Sequence, residues 1–146
     1  MHFTCAVEID ARREKAVEVF CNREKQKLWQ SGLISIEQLE GEPFESGSKA
    51  RMSFRDGKRE FELYETVQEN RLPDTFVGEY ETPGICWNSM TSRFRELPSG
   101  STQFEAEVVY RLDALPVRLM GWLMPWVFRK QVQKYLDAFR ELVENE

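Results

Sequence analysis

The chain has 146 residues, a net charge of −5 and a sequence pI near 5.1. That length is enough for one domain, residues 1–146, with a full core, and the acidic balance argues against nucleic acid, whose phosphates select basic surfaces. Apolar residues at 41% and charged residues at 31% give the profile of a soluble globular protein rather than a membrane span.

Residues 3 to 9 alternate. Phe3, Cys5, Val7 and Ile9 fall on one face and Thr4, Ala6 and Glu8 on the other, which predicts a half-buried strand. Asp10 suits an N-cap, and Ala11 to Phe20 reads as a short helix with Ala16, Val17 and Phe20 inward. Asn22 caps a second short helix, Arg23 to Gln30, which Gly32 ends. His2, the one histidine, reads as part of a frayed terminus.

Strands follow in hairpin succession: Leu33 to Glu40, Ser48 to Phe54, Arg59 to Val67, Thr75 to Glu81, Ile85 to Leu97 and Thr102 to Leu112. The sharpest turn signal among them is Asp56-Gly57, a pair suited to a two-residue hairpin loop. From Pro116 to Glu146 the period changes to 3.6. Phe128, Val132, Tyr135, Leu136, Phe139, Leu142 and Val143 share one helical face, and Pro125 should kink or restart the helix. Arg129 to Lys134 (RKQVQK) reads as the solvated side of that helix. The fold class is α+β: one long helix whose apolar stripe covers the concave face of a curved, seven-stranded antiparallel sheet.

Cys5, Cys21 and Cys86 are odd in number and far apart, so free thiols in a reducing, cytoplasmic compartment are expected. MHFTCAVEID has no basic region followed by a long apolar run, so no secretory leader is expected. The most apolar stretch, Leu115 to Phe128, is broken by Arg118, Gly121 and Pro125 and falls short of the about 20 residues that span a bilayer. Nucleotide-loop, nucleophile-elbow and metal-ligand motifs do not occur, and no cofactor or metal is expected.

The opening strand into IDARREKAVEVF (Ile9 to Phe20), Trp29 at the end of the second helix, EGEPFESGSKARMSF (Glu40 to Phe54), ETVQENRLPDTFVGEYE (Glu65 to Glu81) and GSTQFEAEVVYRL (Gly100 to Leu112) run along almost the whole chain. In this order they resemble the START-like, or SRPBCC, superfamily of helix-grip proteins, which includes polyketide cyclases and dehydrases and lipid-transfer domains. The resemblance implies a sheet gripping the C-terminal helix with an apolar cavity between them. It carries no catalytic motif.

The expected wall of that cavity is Met52, Phe54, Phe61, Leu63, Phe76, Tyr80, Asn88, Met90, Phe104, Ala106, Val108 and Tyr110, facing Phe128, Val132 and Tyr135. Such faces either pack as solid core or leave a hollow. The polar groups of Tyr80, Asn88, Ser92 and Tyr110 on apolar faces favour a pocket that orients a ligand. Glu65 shares a face with Leu63 and Val67. It is either an acid or base inside the cavity or a sheet-end carboxylate in water, paired with Arg93 or Arg111. The segment 115–128 is either a packed entrance to the helix or a lid or contact surface, through Trp122 and Trp126, for a membrane or a protein. Binding or transport of a small hydrophobic ligand (a lipid, a quinone or a polyketide-like aromatic) is the first expectation. A cyclase- or dehydrase-type enzyme using Glu65 or a tyrosine, and an interaction module, are the alternatives.

Overall fold

Alternation builds the sheet. In β1 (His2–Ile9), Cys5, Val7 and Ile9 are buried while Ala6 and Glu8 face water, as a period of two requires. The computed structural model describes residues 1–146 and continues with α1 (Arg13–Phe20), α2 (Arg23–Trp29), β2 (Leu33–Glu40), β3 (Lys49–Asp56), β4 (Arg59–Arg71), β5 (Thr75–Thr82), β6 (Cys86–Glu96), β7 (Thr102–Leu112), α3 (Leu115–Leu123) and α4 (Trp126–Glu144). All seven strands join one antiparallel sheet in the order β1-β7-β6-β5-β4-β3-β2. Hairpin succession explains β2 to β7. The one long-range pairing sets β1 against β7, with Cys5 opposite Ala106 and Val7 opposite Phe104.

Local chemistry moves several boundaries. The Ala11 N–H turns back onto the Ile9 carbonyl at 2.8 Å, so β1 leaves through a turn and α1 starts at Arg13, not Ala11. Asp10 therefore caps nothing; its backbone N–H donates to the Glu144 carboxylate at 2.7 Å. Asn22 does cap α2, accepting from the Glu24 and Lys25 N–H groups at 3.0 and 3.2 Å. Asp56 pairs with Arg59, which makes the hairpin loop Gly57-Lys58 rather than Asp56-Gly57. His2 is not frayed: it belongs to β1, and its Nε2 lies 2.8 Å from Glu107 Oε2. The helical region from Pro116 restarts at Pro125, as expected, and forms two helices. Met124 leaves helical geometry at φ −136°, and Pro125, which has no N–H to donate, opens α4.

The core sits between α4 and the concave face of the sheet. Val132, Leu136, Phe139 and Val143 are the buried stripe of α4. They meet an aromatic cluster in which Phe94 stacks on Phe104 at 4.6 Å, and Phe139 meets Phe104 at 5.2 Å and Trp29 at 5.0 Å. Phe20 of α1 stands edge-on to Phe76 and Phe94 at 5.3 Å. Such pairs add about 0.5–1.5 kcal/mol each beyond area burial. Packing loosens along β6. Phe94 and Ser92 are buried, while Met90 and Asn88 are only half-buried. The sheet and α4 thus close tightly at the α1–α2 end and diverge toward the other. Leu33, Met52 and Phe54 form a separate small cluster under β2 and β3.

Candidate functional site

Strand register assembles a polar row across the middle of the concave face. Glu65 of β4 lies opposite Tyr80 of β5, Tyr80 opposite Asn88 of β6, and Asn88 opposite Tyr110 of β7. The Tyr80 ring folds back over Gly78, where a Cβ would stand 2.5 Å from its hydroxyl oxygen. Burial, reinforced by the charge of Glu65, raises Tyr80 well above the ordinary tyrosine range. Burial pushes Tyr110 up to about 12, with the Asn88 amide beside its oxygen pulling the other way. Both phenols are therefore neutral at ordinary pH and keep a proton to donate. The Asn88 Oδ1 is buried and has no hydrogen-bond partner. A buried acceptor left alone costs free energy, about 1–3 kcal/mol, which a donor group on a ligand or a water would recover.

Glu65 is neither in water nor paired with Arg93 or Arg111. It is 2% exposed, and its Oε1 accepts from Arg23 Nη2 at 2.5 Å. Arg93 instead bonds Glu105 and Glu107, and Arg111 bonds Glu81 and Asp113. Arg23 also donates to Gln26 Oε1 at 3.0 Å and lies over the Phe44 ring at 4.2 Å. Burial without a counter-charge would penalise the carboxylate heavily; the guanidinium at Oε1 offsets that penalty. Beside the pair is a cavity of about 30 Å³, bordered by Trp29, Phe76, Tyr80, Met90 and Ser92. That is room for one or two waters; Nε1 of Trp29, one of its lining residues, is buried without a partner.

Sequence reasoning missed Arg23, Gln26 and Phe44. Arg23 opens a helix, where a cation looks like surface charge. Phe44 sits in the Gly-rich loop before β3 at φ 67°, a left-handed geometry rare for an aromatic residue, and is buried against Phe20 and Phe76. One detectable signal was the Phe itself, in a loop of otherwise polar and small residues.

The apolar cavity expected between helix and sheet is divided. Phe20, Trp29 and Phe44 enter from α1, α2 and the loop and fill the half nearest them, leaving only the small polar cavity. A second hollow of about 600 Å³ opens at the other end, between the β3–β4 hairpin and the α3–α4 helices. Of the expected wall, Phe54, Phe61, Tyr110, Phe128 and Tyr135 line this hollow, joined by Met120, Val127, Gln131 and Lys134. Phe76, Tyr80 and Met90 border the small cavity instead. Met52, Phe104, Ala106, Val108 and Val132 are buried packing residues, and Leu63 packs against the Leu33–Met52–Phe54 cluster.

The reading of 115–128 as a packed entrance fails: α3 buries none of its residues, and Trp122 and Trp126 are 78% and 60% exposed. The three cysteines are free, and burial raises all three thiols, so none is poised as a nucleophile.

No protein-family model matches the chain, and no curated protein matches it either. Solved structures do. A conserved protein from Geobacillus kaustophilus superposes with a TM-score of 0.81 at 13% identity, covering 99% of this chain and 96% of its own. Ara h 8.0201 gives 0.80 at 12% identity, covering 100% and 99%. The di-domain ARO/CYC StfQ from the steffimycin biosynthetic pathway gives 0.74 at 12% identity, with 97% of this chain matching 44% of that one. At these identities the likeness is one of fold. With seven antiparallel strands wrapped around the C-terminal helix and two short helices after the first strand, the chain has a helix-grip α+β fold, shared with these solved structures.

Proposed function

We propose that this protein binds a small, mostly apolar molecule, of the size of a lipid, a quinone or a polyketide-like aromatic, in the hollow between the β3–β4 hairpin and the α3–α4 helices. The observation that carries the reading is the hollow itself. Its volume of about 600 Å³ lies within the usual range for ligand pockets, and half of its lining residues are apolar, three Phe and two Tyr among them, with Arg55, Asp56 and Lys134 among the polar ones. Burying a ligand there contributes about 25 cal/mol per Å² of apolar surface. Tyr110 at its edge supplies a neutral hydroxyl for orientation. StfQ, an ARO/CYC with the same fold, is compatible with a polyketide-like ligand.

Native mass spectrometry of the freshly purified protein tests this, followed by thermal melting with a panel of fatty acids, quinones and polycyclic aromatics. A bound molecule, or a melting temperature that climbs with ligand concentration, supports the reading. An empty protein whose melting temperature ignores the whole panel rejects it. Phe61→Lys, at the exposed rim of the hollow, should weaken binding while leaving the apo melting temperature nearly unchanged.

A further inference from the structure

We propose that α3 and the first turns of α4 form a docking surface for an anionic lipid bilayer, with the hollow opening beside it. Leu115, Leu119, Trp122, Leu123 and Trp126 stand at helical spacing and are all exposed. Gly121 points the other way: a Cβ there would lie 2.3 Å from Leu112 Cδ1, so the helix is seated on the end of β7 by its glycine face. Surface helices of globular proteins turn their apolar face inward; α3 turns it outward. Large exposed apolar patches mark contact surfaces.

Charge selects the occupant. Between Asp113 and Asp137 the chain has four cations, Arg118, Arg129, Lys130 and Lys134, and no carboxylate, although its net charge is −5. Arg129 is held on the Thr4 carbonyl. Arg118, Lys130 and Lys134 are exposed, and none has a carboxylate partner within salt-bridge distance. Lys130 and Lys134 share a shallow surface concavity with Trp126, and Asp137 is the one acidic group at its edge. Tryptophan beside unpaired lysine is the pattern that seats at the headgroup level of an anionic membrane. A second copy of this chain fits less well, because a two-fold contact through this face would bring two cationic patches together with Asp137 at their edge as the one acidic group on each. No helix here is long and apolar enough to cross a membrane, so the contact is peripheral.

Val127 and Lys134 belong both to this surface and to the wall of the hollow. A ligand could pass between bilayer and hollow with little exposure to water. That consequence rests on the ligand-binding reading; the docking does not.

Flotation with phosphatidylcholine vesicles, with and without phosphatidylglycerol, tests the docking in the absence of any added ligand. The protein should float with the anionic vesicles and show a blue-shifted tryptophan emission. Trp122→Ala with Trp126→Ala should abolish flotation. Arg118→Gln with Lys130→Gln should weaken it on the order of tenfold, and salt should weaken it further. These residues are exposed, so the variants should melt like the parent and still bind a ligand of the hollow from solution. Equal flotation with neutral and anionic vesicles, no flotation at all, or flotation that survives both double variants overturns the proposal. So does a concentration-dependent dimer in sedimentation that the tryptophan variant dissociates, because the face would then be covered by a second copy.

Discussion

At Glu65 the decisive quantity is the Arg23 guanidinium, 2.5 Å away. Arg23→Met leaves a carboxylate that is 2% exposed without its counter-charge. The expected loss is about 3 kcal/mol in urea unfolding. Adding Glu65→Leu should restore most of it, since an apolar pair of similar volume needs no compensation. A single variant as stable as the parent would mean that Glu65 is solvated in solution. Tyr110 predicts a pH effect of definite sign. Its folded value, about 12, exceeds the unfolded value near 10. The fold therefore favours the neutral phenol, and its contribution is complete below about pH 10. It fades as pH rises from about 10 to about 12, for at most about 2 to 3 kcal/mol. Tyr110→Phe should flatten that part of the alkaline unfolding curve while leaving neutral stability within about 1 kcal/mol. Alternation alone put Glu65, Tyr80, Asn88 and Tyr110 on the inward face, because side-chain direction in a strand is set by a period of two. Their cross-strand alignment and the partner on α2 were invisible, because register and helix docking are tertiary facts.

The elements themselves were legible wherever periodicity ran for a full strand or several helical turns. β2 and β7 begin and end where alternation does, and α4 follows its stripe from Phe128 to Val143. Short elements were less so. α1 loses its first residues to the Ile9–Ala11 turn, and neither Asp10 nor Arg12 caps it through a side chain. The stripe of α4 has a measurable counterpart. Phe139 is 0% exposed and touches Trp29 and Phe104 rings at 5.0 and 5.2 Å. Phe139→Ala should cost about 3–5 kcal/mol, whereas Trp122→Ala on α3 should change stability by no more than about 0.5 kcal/mol. Gly121→Ala separates two forces on α3. Helix propensity alone would favour alanine by about 1 kcal/mol. The overlap with Leu112 opposes it, but it is with the end of a flexible side chain that can turn aside, so the two should nearly cancel and the net change should stay within about 1 kcal/mol.

On the scale of the whole molecule, the division of the core matters more than its size. The main cluster ties β1, β4 to β7, α1, α2 and α4 together, while Leu33, Met52 and Phe54 form their own small cluster at the β2–β3 edge. Between the hairpin tip and α4 lies the hollow, so Phe61, exposed and stacked at 5.5 Å on the buried Phe54, faces space instead of the helix. Regions with few buried apolar contacts open at lower free energy than the global core. Amide hydrogen exchange should therefore be faster over the β2–β3–β4 hairpin tip than over β6, β7 and α4. A ligand seated in the hollow would touch Phe54 and Phe61 on one side and Phe128 and Tyr135 on the other, bridging what the empty protein leaves apart. Its binding should slow exchange over 53–61 and 127–135 together, by a factor that grows with ligand concentration. A ligand that raises the melting temperature while exchange over 53–61 and 127–135 stays unchanged would place its site elsewhere and reject the hollow.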